Sequence, residues 1–122
     1  MPLGLLGFEK IKQYTLLADP KEAPFLWLQM LEEPNVSFLV IDPFLLFPEY
    51  QPDLSDEDVE FLGLGSATEA ALFNIVTLRA DGKANINLKG PIVINRQTLQ
   101  AKQVIPVNAS SYHVQHPFPI AT

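Results

Sequence analysis

The sequence predicts an all-β fold, a small β-barrel-like arrangement of short antiparallel strands with one short helix near residues 55–62. Three observations carry this expectation. The 11 prolines are spread from Pro2 to Pro119 across 122 residues and leave little room for long helices. Short apolar runs rich in Val, Ile, Leu and Phe recur between turn signals. Apolar and polar residues alternate cleanly in Asn85-Ile86-Asn87-Leu88, directly after the hairpin signal Asp81-Gly82.

Taken in order, Gly4-Leu5-Leu6-Gly7 reads as a turn and Tyr14 to Leu17 as a strand ended by Asp19-Pro20. The stretch from Phe25 to Leu62 organises the rest. Trp27 to Leu31 and Phe38 to Ile41 read as paired strands, with Glu32-Glu33-Pro34-Asn35 as the link. Leu26, Leu28 and Met30 share one face and Phe25 and Trp27 the other, which predicts a strand covered on both sides. The second strand breaks at Asp42-Pro43, and an apolar segment follows, Phe44-Leu45-Leu46-Phe47-Pro48.

The helix start is spelled out residue by residue. Ser55 suits the N-cap, where its oxygen faces free N–H groups. Asp58 falls at N3, as a short capping-box carboxylate, while Leu54 and Val59 have the spacing of a hydrophobic staple. Asp56 and Glu57 oppose the positive helix end, and Gly63 suits the C-terminal stop. Beyond it, Ala71 to Leu78, Ile92 to Ile94 and Gln103 to Ile105 read as strands. Ile86 and Leu88 are expected inward and Asn85 and Asn87 outward. The segment from Tyr112 onward reads as an edge or irregular.

Length and composition set the class. A chain of 122 residues is one domain able to bury about two-thirds of its unfolded surface. Apolar residues make up 48% and charged ones 18%, which argues against disorder. With no cysteine there is no disulfide and no thiolate chemistry, as suits a reducing cytoplasm. No apolar run has membrane-spanning length, and no signal-peptide pattern opens the chain. Residues 1–81 hold all 14 acids against four of the eight bases, a net of −10, and residues 82–122 carry +4. Asp42 to Glu60 contains seven acids and no base. Such a chain is not expected to bind nucleic acid by neutralising phosphates, but it can steer a basic protein partner.

No constellation points to catalysis. His113 and His116 lack a third metal ligand, so neither metal nor cofactor is expected. Ser110 and Ser111 lack a nucleophile-elbow context. The acids lie in a mutually solvated run, the wrong setting for a raised carboxyl pKa. Helix capping explains part of that run by itself, whereas Glu49, Asp53 and Glu60 are not needed by the cap.

Several stretches together resemble one family. Val40 to Tyr50 (VIDPFLLFPEY), Leu54 to Val59 (LSDEDV), Asn74 to Leu78 (NIVTL), Asn87 to Asn95 (NLKGPIVIN) and Lys102 to Ile105 (KQVI) resemble the bacterial flagellar assembly factor FliW, in the family's order. Gly4 to Phe8 is similar to the family's Gly-Leu-Pro-Gly-Phe turn, with Leu6 in place of the proline. The resemblance implies a small cytoplasmic β-barrel-like protein, not an enzyme, that binds flagellin and binds and antagonises the translational regulator CsrA. Flagellin export would then release it to capture CsrA and lift repression of flagellin translation.

On charge and position, Asp53, Asp56, Glu57, Asp58 and Glu60 are the candidate partner-binding acids. Phe44, Phe47 and Tyr50 are the candidate apolar anchors, although plain core packing suits them too. Two departures stand out. The chain opens close to the family's turn and so is expected to lack about two N-terminal strands, which predicts an open sheet edge prone to self-association. Gln115 stands where the family pattern has arginine before His116-Pro117, which would weaken any partner contact made there. The rival reading is a small-molecule-binding barrel with a cavity lined by Trp27 and Phe38.

Overall fold

The computed structural model describes residues 14–31, 37–78, 83–113 and 116–117. Eight strands, β1 (Tyr14–Ala18), β2 (Leu26–Met30), β3 (Ser37–Ile41), β4 (Ala70–Leu78), β5 (Ala84–Ile86), β6 (Ile92–Asn95), β7 (Ala101–Gln103) and β8 (His116–Pro117), pair antiparallel throughout. The order is β1-β2-β3-β4-β5-β8, with β6 joining β4 to β7. The sheet curls into a half-barrel, and α1 (Asp56–Leu62) is the single α-helix among the described residues.

The proline-rich composition produces these short strands, and the apolar side chains they present form the core. Leu28, Val40 and Ile92 anchor one cluster, and Ile41, Val76 and Ile86 a second. Leu62 of α1 meets Val93 and Val104 in a third, which fastens the helix to the sheet. On β2, Leu28 and Met30 are buried as expected. Trp27 on the opposite face is only half-covered, and its indole N–H reaches Glu22 at 3.1 Å.

The nine-residue β4 changes partner along its length. Val76 faces Ile86 and Phe73 faces Ile92, so Asn74 and Ile75 stand opposite the five residues 87–91. This mismatch bulges the return arm. Asn87 Oδ1 accepts from the N–H groups of Lys89 and Gly90, both at 3.0 Å, and closes the bulge locally. Gly90 suits the crowding there: a Cβ would meet Gln103 Nε2 at 3.0 Å and push on the same amide that donates to the Gly90 carbonyl. Asn74, fully buried, donates to the Asn87 carbonyl at 2.7 Å and supplies the bond that the interrupted ladder leaves open.

Two expectations are corrected. Asn85 is buried rather than outward, because β8 lies against β5 at that position. Asn74 and Asn95 are likewise internal. The last predicted strand starts earlier: the tight turn after Asn95 pairs Ile94 with Ala101, so β7 ends at Gln103, and Val104, whose N–H still bonds the Pro91 carbonyl at 2.9 Å, buries its side chain beside Leu62. The turns expected at Gly4 to Gly7, Glu32 to Asn35 and Asp81-Gly82 lie outside the described residues. β1 ends the strand path, and the edge beyond it, with residues 1–13, also lies outside them.

The helix follows its sequence signals. Ser55 Oγ accepts from the Asp58 N–H at 3.1 Å. Gly63 takes the left-handed conformation, φ 65°, and its N–H reaches the Glu60 carbonyl while that of Leu64 reaches Val59, the Schellman pattern. The Asp58 carboxylate is engaged by Lys102 of β7.

Candidate functional site

Between β3 and α1 the chain forms a strap, residues 42–54, that is not regular strand. Asp42 caps its first turn by accepting from the Phe44 N–H at 2.9 Å. The Phe47 and Tyr50 N–H groups then close further turns onto Pro43 and Phe47. The outer part of the strap is held by side chains from far along the sequence. Asn108 donates to the Gln51 carbonyl at 2.9 Å and accepts from the Asp53 N–H at 2.8 Å, so one amide does the work of a neighbouring strand. The Val107 N–H adds a bond to the Asp53 carbonyl at 2.7 Å, and the Tyr112 hydroxyl accepts from the Gln51 N–H.

The strap, α1 and the start of β4 enclose an open cleft of about 620 Å³. Phe44, Leu54, Val59, Leu64 and Leu72 give it an apolar lining, and Asp53 is the only charged residue in its wall among the described residues. Leu54 and Val59 are the predicted staple pair, so the signals that start the helix also shape the cleft. At about 100° per residue, Asp56, Glu57 and Glu60 share the helix face away from Asp58 and Leu62, and all three are exposed. The cleft therefore has an apolar floor beside an acidic ridge, with the physical character of a surface for protein contact rather than an enclosed ligand chamber. A smaller cleft of about 270 Å³ lies between β1 and β7, with Leu16 and Leu99 in its wall. Trp27 and Phe38 line neither of these two clefts.

The predicted site residues separate into two groups. Phe44, 41% exposed, stands in the cleft wall with Asp53, and Asp56, Glu57 and Glu60 lie on the adjoining helix. Phe47 is half-buried with its ring edge-on to His116 at 5.1 Å, outside the cleft lining. Asp58 is 6% exposed and paired with Lys102, and Tyr50 is 4% exposed. Tyr50 nonetheless contributes to the cleft lining, and each of the two side chains satisfies a polar need inside the fold. Asn108, Leu64 and Leu72 were not anticipated. Asn108 carries no local signal, since its partners are more than fifty residues away.

Tyr50 packs edge-on against Tyr112, with ring centroids 4.9 Å apart. Its hydroxyl donates to the Leu88 carbonyl and accepts from Asn74. Burial pushes its pKa up to about 12. The folded pKa lies above the unfolded value of 10.0, so the folded state holds the proton more tightly. This contribution is complete below pH 10, is lost as pH rises towards about 12, and is on the order of 2–3 kcal/mol. Tyr50→Phe is expected to flatten the fall in stability between pH 10 and 12, followed by denaturant melts across that range. Absorbance at 295 nm should show one phenol titrating late in the wild type and not in the variant.

This geometry defines a curled antiparallel half-barrel with one short helix and an acid-flanked apolar cleft, and the same architecture appears in a solved structure. A crystal structure of the flagellar assembly factor FliW superposes with a TM-score of 0.89 at 36% identity, over 100% of this chain and 86% of that one. The family model described as FliW protein matches residues 1–118. Flagellar assembly factor FliW of Syntrophus aciditrophicus is 44% identical over 106 residues, 86% of this chain and 67% of that protein. That of Bacillus pumilus is 38% identical over 120 residues, 98% of this chain and 83% of that protein. The chain belongs to the FliW family of flagellar assembly factors.

Proposed function

We propose that this protein is a cytoplasmic, non-catalytic flagellar assembly factor that binds flagellin and binds and antagonises CsrA. It thereby couples flagellin export to flagellin translation. Family membership supplies the role, and the exposed carboxylates of Asp56, Glu57 and Glu60 on one helix face are the observation that carries the antagonist part. An anionic ridge attracts a basic RNA-binding surface at long range and, once docked, repels the phosphate backbone that the surface would otherwise hold.

Neutralising the ridge tests this. The triple variant Asp56→Asn, Glu57→Gln, Glu60→Gln is expected to weaken CsrA binding about tenfold or more at low salt and to reduce its salt dependence. The helix loses part of its favourable N-terminal charge, at a cost of about 1 kcal/mol, so the variant stays folded. Calorimetric titration of wild type and variant at two salt concentrations is the check. Equal affinities and equal salt dependence would remove the ridge from the interaction.

A further inference from the structure

We infer that the cleft between the strap and α1 receives apolar side chains from a partner-protein segment that carries lysine or arginine beside them, and that it reads the segment by side chains rather than by strand addition. The inference rests on the protein-binding reading above and gives it a site.

Three observations carry it. The floor is apolar and open, with Phe44, Leu54, Val59, Leu64 and Leu72 around about 620 Å³, enough for more than one buried apolar side chain. The only charge that the described residues place in the lining is the exposed carboxylate of Asp53, and Val59 in the same wall belongs to the helix whose outer face carries Asp56, Glu57 and Glu60. Among the described residues no lysine or arginine lines the cleft, so a cation flanking the docked apolar group meets opposite charge there. The third observation excludes a ladder on the strap wall. The N–H and carbonyl of both Gln51 and Asp53 are already bonded to Asn108, Val107 and Tyr112, and Pro52 between them has no N–H. An incoming backbone finds no row of free groups there, which leaves side-chain insertion as the mode of contact.

The probe is the synthetic peptide acetyl-Lys-Leu-Leu-Lys-Leu-Leu-Lys-amide, titrated into the full chain carrying labelled Ile, Leu and Val methyl groups. The expected result is a saturable shift of the Leu54, Val59, Leu64 and Leu72 methyl signals. Phe44→Ala should weaken binding about tenfold and Asp53→Asn about threefold. Both substituted side chains are exposed enough for the fold to survive. A peptide with serine for leucine should give no shift, and one with glutamate for lysine a much weaker one. Shifts confined to Leu16 and Leu99 at the other cleft, shifts equal for the serine peptide, or no shift at all would overturn the inference. Parallel titrations with flagellin and CsrA keep the two readings separate. Peptide shifts at the cleft without affinity for either protein would leave the cleft standing and remove the named partners. Partner binding unaffected by Phe44→Ala and Asp53→Asn, with no peptide shift, would remove the cleft and leave the partners.

Discussion

Replacing Lys102 by alanine is expected to destabilise the protein by about 2–3 kcal/mol, with no effect on the apolar core. Lys102 projects from β7 to the Asp58 carboxylate at the start of α1, and its ammonium lies 5.6 Å from the Phe61 ring centroid. The Asp58 side chain is 9% exposed and that of Lys102 23%. Without the lysine a carboxylate is left in the interior with only partial access to water, and that desolvation dominates the loss. The half-open position of Lys102 keeps the figure below that for a fully buried pair. If the lost stability reflects an orphaned charge, the double variant Asp58→Leu, Lys102→Met recovers most of it. If both variants are equally unstable, packing around Phe61 is responsible instead. Urea denaturation of the wild type, the single variants and the double variant completes the cycle.

Asn95→Ala is expected to cost a comparable 2–3 kcal/mol, although it removes only a small polar side chain. Asn95 is 2% exposed at the end of β6. Its Nδ2 donates to the Leu62 carbonyl at 2.7 Å, while its Oδ1 accepts from the N–H groups of Gln97 and Thr98 at 2.8 and 3.2 Å. One amide thus caps the last turn of α1 and shapes the turn that leads to β7. Alanine strands the Leu62 carbonyl in the interior, which is the expensive part, whereas Gln97 and Thr98 are exposed and water can serve them. Denaturation should show the loss in the midpoint with little change in slope. A variant within 0.5 kcal/mol of wild type, as for an ordinary surface change, would mean that water reaches the Leu62 carbonyl.

Both predictions concern residues whose importance the sequence conceals. Local signals were legible: Ser55 capping, the Leu54 and Val59 spacing and Gly63 at the helix end are written in neighbouring residues, and the structure shows the cap and the stop in place. The strands from Tyr14 to Ala18, Leu26 to Met30 and Ser37 to Ile41 appear close to where apolar runs and turn residues put them. What could not be read locally were bonds made by side chains to distant backbone. Asn74 serves a ladder interrupted by residues 87–91, Asn95 serves a carbonyl 33 positions away, and Asn108 one 57 away. An asparagine that looks outward in a strand pattern is drawn inward when a bulge or helix end nearby needs a donor.

The same distinction divides the candidate site. An acidic run between Asp42 and Glu60 is visible in composition, but which acids face solvent depends on the helix phase and on a lysine 44 residues further along. Asp56, Glu57 and Glu60 fall on the outer face, and Asp58 turns inward to Lys102. Phe44 and Tyr50 have equal apolar promise in sequence. The turns of the strap bring both to the cleft wall, but leave Phe44 41% exposed and Tyr50 only 4%. The cleft itself had no sequence signature, because its lining is collected from the strap, α1, the following turn and β4.

In the proposed function, one small half-barrel is passed between flagellin and CsrA. The most direct test is competition: form the complex of this protein with fluorescently labelled CsrA from the same organism, add unlabelled flagellin, and follow anisotropy. CsrA is expected to be released in proportion to the flagellin added and to regain its capacity to bind RNA. A stable complex of all three proteins, or CsrA that never binds a well-folded sample, would contradict it.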